Sequence, residues 1–141
     1  MRYKDPSYQI LKATTALLSD SVVYDGQVIY CGTRIPRNKK NYVYIYIEAM
    51  LNKNTGDSMI YDVTLAFQVN TVQASTEGDE TAVNSIFEQV LAKVDGGDNY
   101  VMAEFNCVMA EFTDSEYTTE LLDANYMITR KLRINLLIEQ K

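Results

Sequence analysis

The chain has 141 residues, of which 47% are hydrophobic, and its formal net charge at pH 7 is -6. This length suits one compact domain over residues 1–141, and the apolar content is too high for a disordered chain. The chain contains no histidine, which excludes a histidine-based acid, base or catalytic triad. No run of about eighteen apolar residues occurs, so no segment is predicted to span a membrane, and no membrane is expected among its partners.

The first predicted element is a helix from Pro6 to about Leu18. Asp5 can act as its N-cap, with Pro6 at the first helical position. Apolar residues recur at intervals of three and four and predict one buried face, formed by Ile10, Leu11, Ala13, Leu17 and Leu18. The segment VVYDGQVIYCG follows, and its Asp25-Gly26 pair is a hairpin-type turn signal. It predicts either a short hairpin or a strand preceded by a turn.

The next segment, TRIPRNKKN, is a loop that carries four basic residues, namely Arg34, Arg37, Lys39 and Lys40. Eight basic and four acidic residues lie between positions 1 and 53, whereas positions 77 to 123 hold twelve acidic residues and a single lysine. Such polarity suits head-to-tail association of identical copies, in which the basic loop of one copy meets an acidic surface of the next. The candidate acidic residues are Glu77, Asp79, Glu80, Asp114, Glu116 and Glu120. The alternative is an ordinary solvated acidic surface.

A long β-hairpin is predicted next, formed by residues 42–50 (YVYIYIEAM) and 59–69. In its first strand Val43, Ile45 and Ile47 share one face, and the second strand alternates between apolar and polar residues. A helix is predicted from about Glu80 to Val94, because its apolar positions recur at intervals of three and four. The glycines at 96 and 97 are expected to end it.

The segment VMAEFNCVMAEF, residues 101–112, contains the same five residues twice, seven positions apart. As a helix it would show one apolar stripe, and as a strand its apolar side would change over near Asn106-Cys107. The preceding turn residues, and the need of the last strand for an antiparallel partner, favour a strand with a bulge or strong twist at that point. Such a strand is apolar on both faces, so a neighbouring subunit is a candidate cover for the face away from the helices.

An acidic stretch, TDSEYTTELLD, is interpreted as a solvated loop, since the spacing of its carboxylates fits no calcium loop. Residues 126–138 then alternate between apolar and polar side chains and predict a long amphipathic strand. The basic outer face of this strand, with Lys131 and Arg133, can lie beside acidic neighbours. Arg130 is the one charge on its apolar side. Together the elements predict an α+β fold, in which two main helices pack on one face of an antiparallel sheet of four or five strands.

No motif for catalysis or cofactor binding occurs. The chain has no Gly-rich phosphate loop, no GxSxG and no CxxC, so the sequence predicts no enzyme, no cofactor and no catalytic residue. Cys31 and Cys107 have no metal-ligand spacing and are expected to be free thiols in a reducing compartment. No metal site is predicted, because two thiolates without histidine make a poor zinc ligand set.

The order of helix, short strand, basic loop, long hairpin, helix and two long strands resembles that of the tail terminator proteins of tailed bacteriophages. These are also called tail-completion or head–tail joining (neck) proteins. The resemblance covers most of the chain and rests on ILKATTALLSD, VIYCGTRIPRNKKNYVYIYIEAM, MIYDVTLAFQVNT and ITRKLRINLLI. Members of that family have an antiparallel sheet with helices packed on it, and they form rings between the tail tube and the head connector.

The resemblance implies a structural virion protein that caps or connects a tail, found in the tail or neck and, during assembly, in the host cytoplasm. It implies a homo-oligomeric ring of six-fold or twelve-fold symmetry that contacts other tail, neck or portal-connector proteins. DNA would pass through the ring channel without specific recognition. Arg34, Arg37, Lys39 and Lys40 would lie near an inter-subunit or channel-facing surface. The alternative hypothesis is a small non-enzymatic binding module, or adaptor, that acts on a host or phage protein.

Overall fold

The computed structural model describes residues 3–74, 80–122 and 125–141. The elements in chain order are α1 (Ser7–Leu18), β1 (Val23–Tyr24), β2 (Gln27–Val28), β3 (Tyr30–Gly32), β4 (Tyr42–Asn52), β5 (Ile60–Ala74), α2 (Thr81–Val94), β6 (Phe105–Leu122) and β7 (Asn125–Gln140). Within these residues, β3 to β7 form a five-stranded sheet in the order β3-β4-β5-β7-β6, and β1 pairs with β2. The predicted α+β class is confirmed.

The four long strands are antiparallel, as expected. The predicted hairpin is confirmed, with β4 and β5 paired from Tyr42 opposite Asn70 to Asn52 opposite Tyr61. The last strand lies between β5 and β6 and pairs with both along its whole length. Only the three-residue β3 departs from the expected pattern among the described strands, since it runs parallel to β4. Residues 33–41 cause this, because they return the chain to the end of the sheet at which β3 began.

Both helices lie within one residue of their predicted positions, although α1 begins at Ser7, so that Pro6 rather than Asp5 occupies its N-cap position. At the start of α1, the Asp5 carboxylate accepts hydrogen bonds from the Ser7 N–H at 2.9 Å and the Ser7 hydroxyl at 2.6 Å. It therefore satisfies one of the free N–H groups of the first turn. The α2 helix ends before Gly96, whose φ of 123° is a conformation that suits glycine.

The two sides of the sheet differ, and they are called here the helix face and the open face. The helix face packs against α1 and α2 and carries the fully buried core residues, among them Val43, Leu65, Phe67, Leu132 and Ile134. The open face carries half-buried side chains that alternate with the core residues, among them Tyr44, Tyr46, Gln68, Lys131 and Arg133. The core is therefore one layer between helices and sheet.

The repeat forms a strand only from Phe105 onward, so this prediction is corrected in part. Residues 101–104 precede β6, and Val101 is 83% exposed. The predicted antiparallel pairing with the last strand is confirmed. A bulge lies at Val108, directly after the predicted Asn106-Cys107 position, and a second bulge lies at Thr113. The single extra residue at Val108 produces the changeover, so that Phe105 before it and Ala110 after it both face the helices, and the second bulge shifts the alternation back after Phe112.

The interpretation of the acidic stretch as a loop is wrong for residues 113–122, which continue β6 to Leu122. These residues pair with β7 from Asp114 opposite Arg133 to Leu122 opposite Asn125. The reason lies in the partner, because β7 offers a complete ladder of hydrogen-bonding groups and basic side chains beside the acidic ones. Asp123 lies outside the described residues.

The uncertain segment after α1 forms both of the predicted alternatives. Asp25 and Gly26 have φ values of 52° and 75°, so they form the turn of a two-residue hairpin that joins β1 and β2. After this hairpin the chain enters the sheet as β3. Within residues 3–74, 80–122 and 125–141, neither helix has the length and apolar character needed to cross a membrane.

Candidate functional site

The basic loop is defined here as residues 33–41, which join β3 to β4 at one edge of the sheet. Its four basic side chains, those of Arg34, Arg37, Lys39 and Lys40, are all exposed. Arg34 and Lys39 also line a groove of about 490 Å³ that runs beside β3 and the end of α1. Asp20 is the one carboxylate among the described residues that line it. The lining of this groove therefore carries a net positive charge.

The opposite edge of the sheet is acidic. Asp114, Glu116 and Glu120 lie on β6, which is the edge strand on that side, and they occupy alternate positions on the open face. Glu111 is exposed on the same face. The predicted acidic surface is therefore brought together in part. Glu80 lies apart from it, just before α2 on the helix face, and residues 77 and 79 are outside the described residues.

Arg133 joins three strands on the open face. Its Nε donates to Glu48 Oε1 on β4 at 2.9 Å, and its Nη1 contacts Asp114 Oδ1 and Glu116 Oε2 on β6, both at 3.2 Å. Lys131 forms a second ion pair with Glu48. Hydrogen bonds from Lys131 and then Arg133 hold the pKa of the Glu48 carboxyl below its ordinary value. Three carboxylates thus share two cations, which leaves this cluster with a net negative charge.

Two tyrosines extend the open face beside this cluster. The rings of Tyr44 and Tyr46 stack with their centroids 5.0 Å apart, and Lys131 Nζ lies 5.4 Å from the Tyr46 centroid. The sequence predicted that basic residues of the last strand can lie beside acidic neighbours, and this is confirmed. Glu48 was not identified from the sequence as the carboxylate that pairs with Lys131 and Arg133. Its position on the polar side of an alternating strand is the signal that could have identified it.

A second polar cluster lies on the helix face near the start of α2. Arg130 Nη1 donates to Asn84 Oδ1 at 3.0 Å, and the Tyr117 hydroxyl donates to the same oxygen at 2.7 Å. The guanidinium also lies over the rings of Phe87 and Tyr117. The one charge on the apolar side of β7 is thus held by aromatic faces and an amide, an arrangement suited to stabilising the fold.

Neither cysteine lies in a cluster of possible ligands. Burial raises the pKa of the Cys31 thiol to about 12 and that of the Cys107 thiol to about 11. Across the described part of the chain, no group of three or more Cys, Asp or Glu side chains is arranged to hold a metal ion. The groups with the most evident capacity for recognition are the exposed charges at the two sheet edges.

Comparison with known proteins gives a likeness of fold. No protein-family model matches the sequence, and no curated protein matches it. Among solved structures, the chain is similar to one in the "Virion of native gene transfer agent (GTA) particle", with a TM-score of 0.64 and 17% sequence identity. The match covers 94% of this chain and 90% of that chain. Nearly the whole fold is therefore shared with a component of that particle.

Proposed function

We propose that this chain is a structural protein of a phage-like virion, and that it forms a ring in the tail or neck, as a tail terminator or head–tail joining protein. The likeness to a chain of a gene transfer agent virion supports the virion role, because it extends over nearly the full length of both chains. Shared fold alone does not give function. The position in the particle therefore rests on the charges of this chain and on the resemblance of its sequence to tail terminators.

One observation is the main support for the proposed ring, namely that the two edges of a single sheet bear opposite charge. The basic loop follows β3 at one edge, and the carboxylates of β6 lie at the other. A surface pair of this kind favours head-to-tail contact, since the basic edge of one copy attracts the acidic edge of the next. Head-to-tail contacts that close by rotation generate rings.

Assembly rather than catalysis is the proposed mode of action. The two sheet edges of each copy would contact the neighbouring copies. The two ends of the ring would remain free to contact other tail, neck or portal-connector proteins. DNA in the central channel would be contacted without sequence recognition, because the chain is acidic overall. The ring would be present in the virion, and its subunits in the host cytoplasm during assembly.

Mass measurement of the purified protein tests this proposal. We expect six-fold or twelve-fold rings at low ionic strength, either alone or with tail-tube or portal-connector proteins of the same particle. Raising the salt concentration should shift the rings towards smaller species, since exposed charges are screened within about 8–10 Å at moderate ionic strength. A monomer that stays inert towards those partners at every salt concentration would contradict the proposal and favour a small binding module.

A further inference from the structure

The outer edge of β6 is covered at its beginning and free at its end. At the beginning, the Gly96 N–H donates to the Ala110 carbonyl at 3.2 Å, and Val101 forms a bridge with Asn106. From Thr113 to Leu122, β7 is the sole strand that pairs with β6 among the described residues. This end of β6 therefore presents unpaired backbone groups, of the kind that pair with a strand from another chain.

The end of β6 lies level with β3 across the width of the sheet. Successive strand pairings give one row through Tyr30, Tyr42, Asn70, Thr129 and Thr118. A second row passes through Gly32, Tyr44, Gln68, Lys131 and Glu116. The two edges that carry opposite charge are thus at the same height along the strand axis. A second copy placed side by side, without a shift along that axis, would bring one edge against the other.

The strand directions agree with this placement. Because β3 is parallel to β4, and each of the next three neighbours in the sheet is antiparallel to the last, β6 runs opposite to β3. A neighbouring copy in the same orientation would therefore present its β6 as an antiparallel partner for β3. Level rows would place Tyr30 opposite Thr118, Gly32 opposite Glu116 and Arg34 opposite Asp114.

Charge selects this partner over a second β6. The β6 strand contains no lysine or arginine. Asp114, Glu116 and Glu120 lie in its free end and point to the open face. Pairing two such strands would place carboxylates beside carboxylates, which is unfavourable. The groove beside β3, with Arg34 and Lys39 among its lining residues, offers cations instead. The edge of β3 therefore suits an acidic extended strand.

We propose that residues 114–118, in the free end of β6, add as an antiparallel strand to β3 and the two loop residues after it, residues 30–34, of the next copy, so that the sheets of neighbouring subunits become continuous. This inference rests on the proposed ring and names the contact that builds it. The backbone groups supply the pairing, and the charges at Arg34 and Asp114 fix the register. The covered beginning of β6 limits the contact to the second half of that strand.

Crosslinking between single-cysteine variants tests the contact. In every preparation the native Cys31 and Cys107 are replaced by alanine. One preparation carries Thr33→Cys and a mass tag, and the other carries Glu116→Cys without the tag; both positions are exposed in this structure. The preparations are mixed at low salt and treated with a short bismaleimide. Asn106→Cys serves as the matched control, because it is exposed on the same strand but about 30 Å further along it.

We expect a crosslinked dimer with one tagged and one untagged chain from the 33 and 116 mixture. We expect none from Glu116→Cys alone or from the 33 and 106 mixture. Dimers of Glu116→Cys alone would overturn the proposal, because they would show pairing of β6 with itself. Rings seen by mass without the 33–116 product would overturn this contact and leave the ring intact. The 33–116 product in open chains that never close would keep the contact and overturn the ring. The absence of both crosslink and ring would overturn both.

Discussion

The guanidinium carbon of Arg130 lies 3.4 Å from the centroid of the Phe87 ring. This contact joins β7 to α2, and Tyr117 on β6 approaches the same guanidinium from 4.8 Å. Asn84 accepts from both Arg130 and Tyr117. The one charge on the apolar side of β7 thus connects a helix to the two last strands. Its surroundings are aromatic faces, which attract a planar cation.

Replacing Arg130 with methionine should lower the free energy of unfolding by about 1–2 kcal/mol, the usual range for a half-buried cation–π contact with a hydrogen bond. Methionine keeps the apolar stem but removes the charge and the hydrogen bonds. The free energy of unfolding of Arg130→Lys should lie between those of Arg130→Met and the parent protein, since lysine restores the charge without the planar group. Urea unfolding at neutral pH measures the difference. Equal midpoints for Arg130→Met and the parent would show that the stem alone accounts for the packing.

The elements that the sequence predicted well are those in which local pattern and burial agree. The β5 strand alternates because one of its faces is buried, so Val63, Leu65 and Phe67 mark the helix face directly. The helix at 81–94 is predicted equally well, since the side that packs on the sheet is marked by its apolar residues. In both cases the residue period and the environment give the same answer.

The end of β6 could not be predicted in this way. Apart from the half-buried Ser115, its residues are exposed on both faces, so burial imposes no alternation there, and its strand conformation comes from pairing with β7. The members of the open-face cluster could likewise be predicted only in part. Glu48, Asp114 and Arg133 are distant in sequence and meet through strand register. Sequence could indicate that basic residues would have acidic neighbours, but it could not say which.

The Glu48 cluster should make stability depend on pH. The lowered native pKa of Glu48 means that its contribution is present above the ordinary value of 4.5 and is lost as the pH falls through the native value. Glu48→Gln should therefore reduce the free energy of unfolding at pH 7 by about 0.5–1 kcal/mol, as for other partly exposed ion pairs. Thermal unfolding from pH 7 to pH 3 should show this difference shrinking. Glu88→Gln, an exposed change on α2, serves as the control. A constant difference across that range would contradict the assignment.

The native thiols should react slowly with thiol reagents while the protein is folded. Burial raises the pKa of Cys107 to about 11, so at pH 8 its thiolate is about a hundredfold scarcer than that of an ordinary cysteine. Cys31 should be slower still, because burial raises its pKa to about 12. Labelling Cys31→Ala and Cys107→Ala separately, with and without urea, resolves the two rates. Rapid labelling of the folded protein at pH 8 would show that the sites are more open than the structure indicates.

Reversing the charge of the basic loop should weaken assembly without unfolding the protein. Arg37 and Lys39 are both exposed, so Arg37→Glu with Lys39→Glu leaves the core untouched while replacing attraction to the next copy by repulsion. We expect the concentration needed for rings to rise by about tenfold or more, which corresponds to about 1.4 kcal/mol. Lys12→Glu with Lys93→Glu makes the same change in net charge on the two helices, α1 and α2, and it should leave assembly nearly unchanged. Mass measurement over a dilution series, with circular dichroism to confirm the fold, separates the two pairs. If both double variants assemble equally well, or lose assembly equally, the basic loop is not the specific contact, and net charge or another surface controls association.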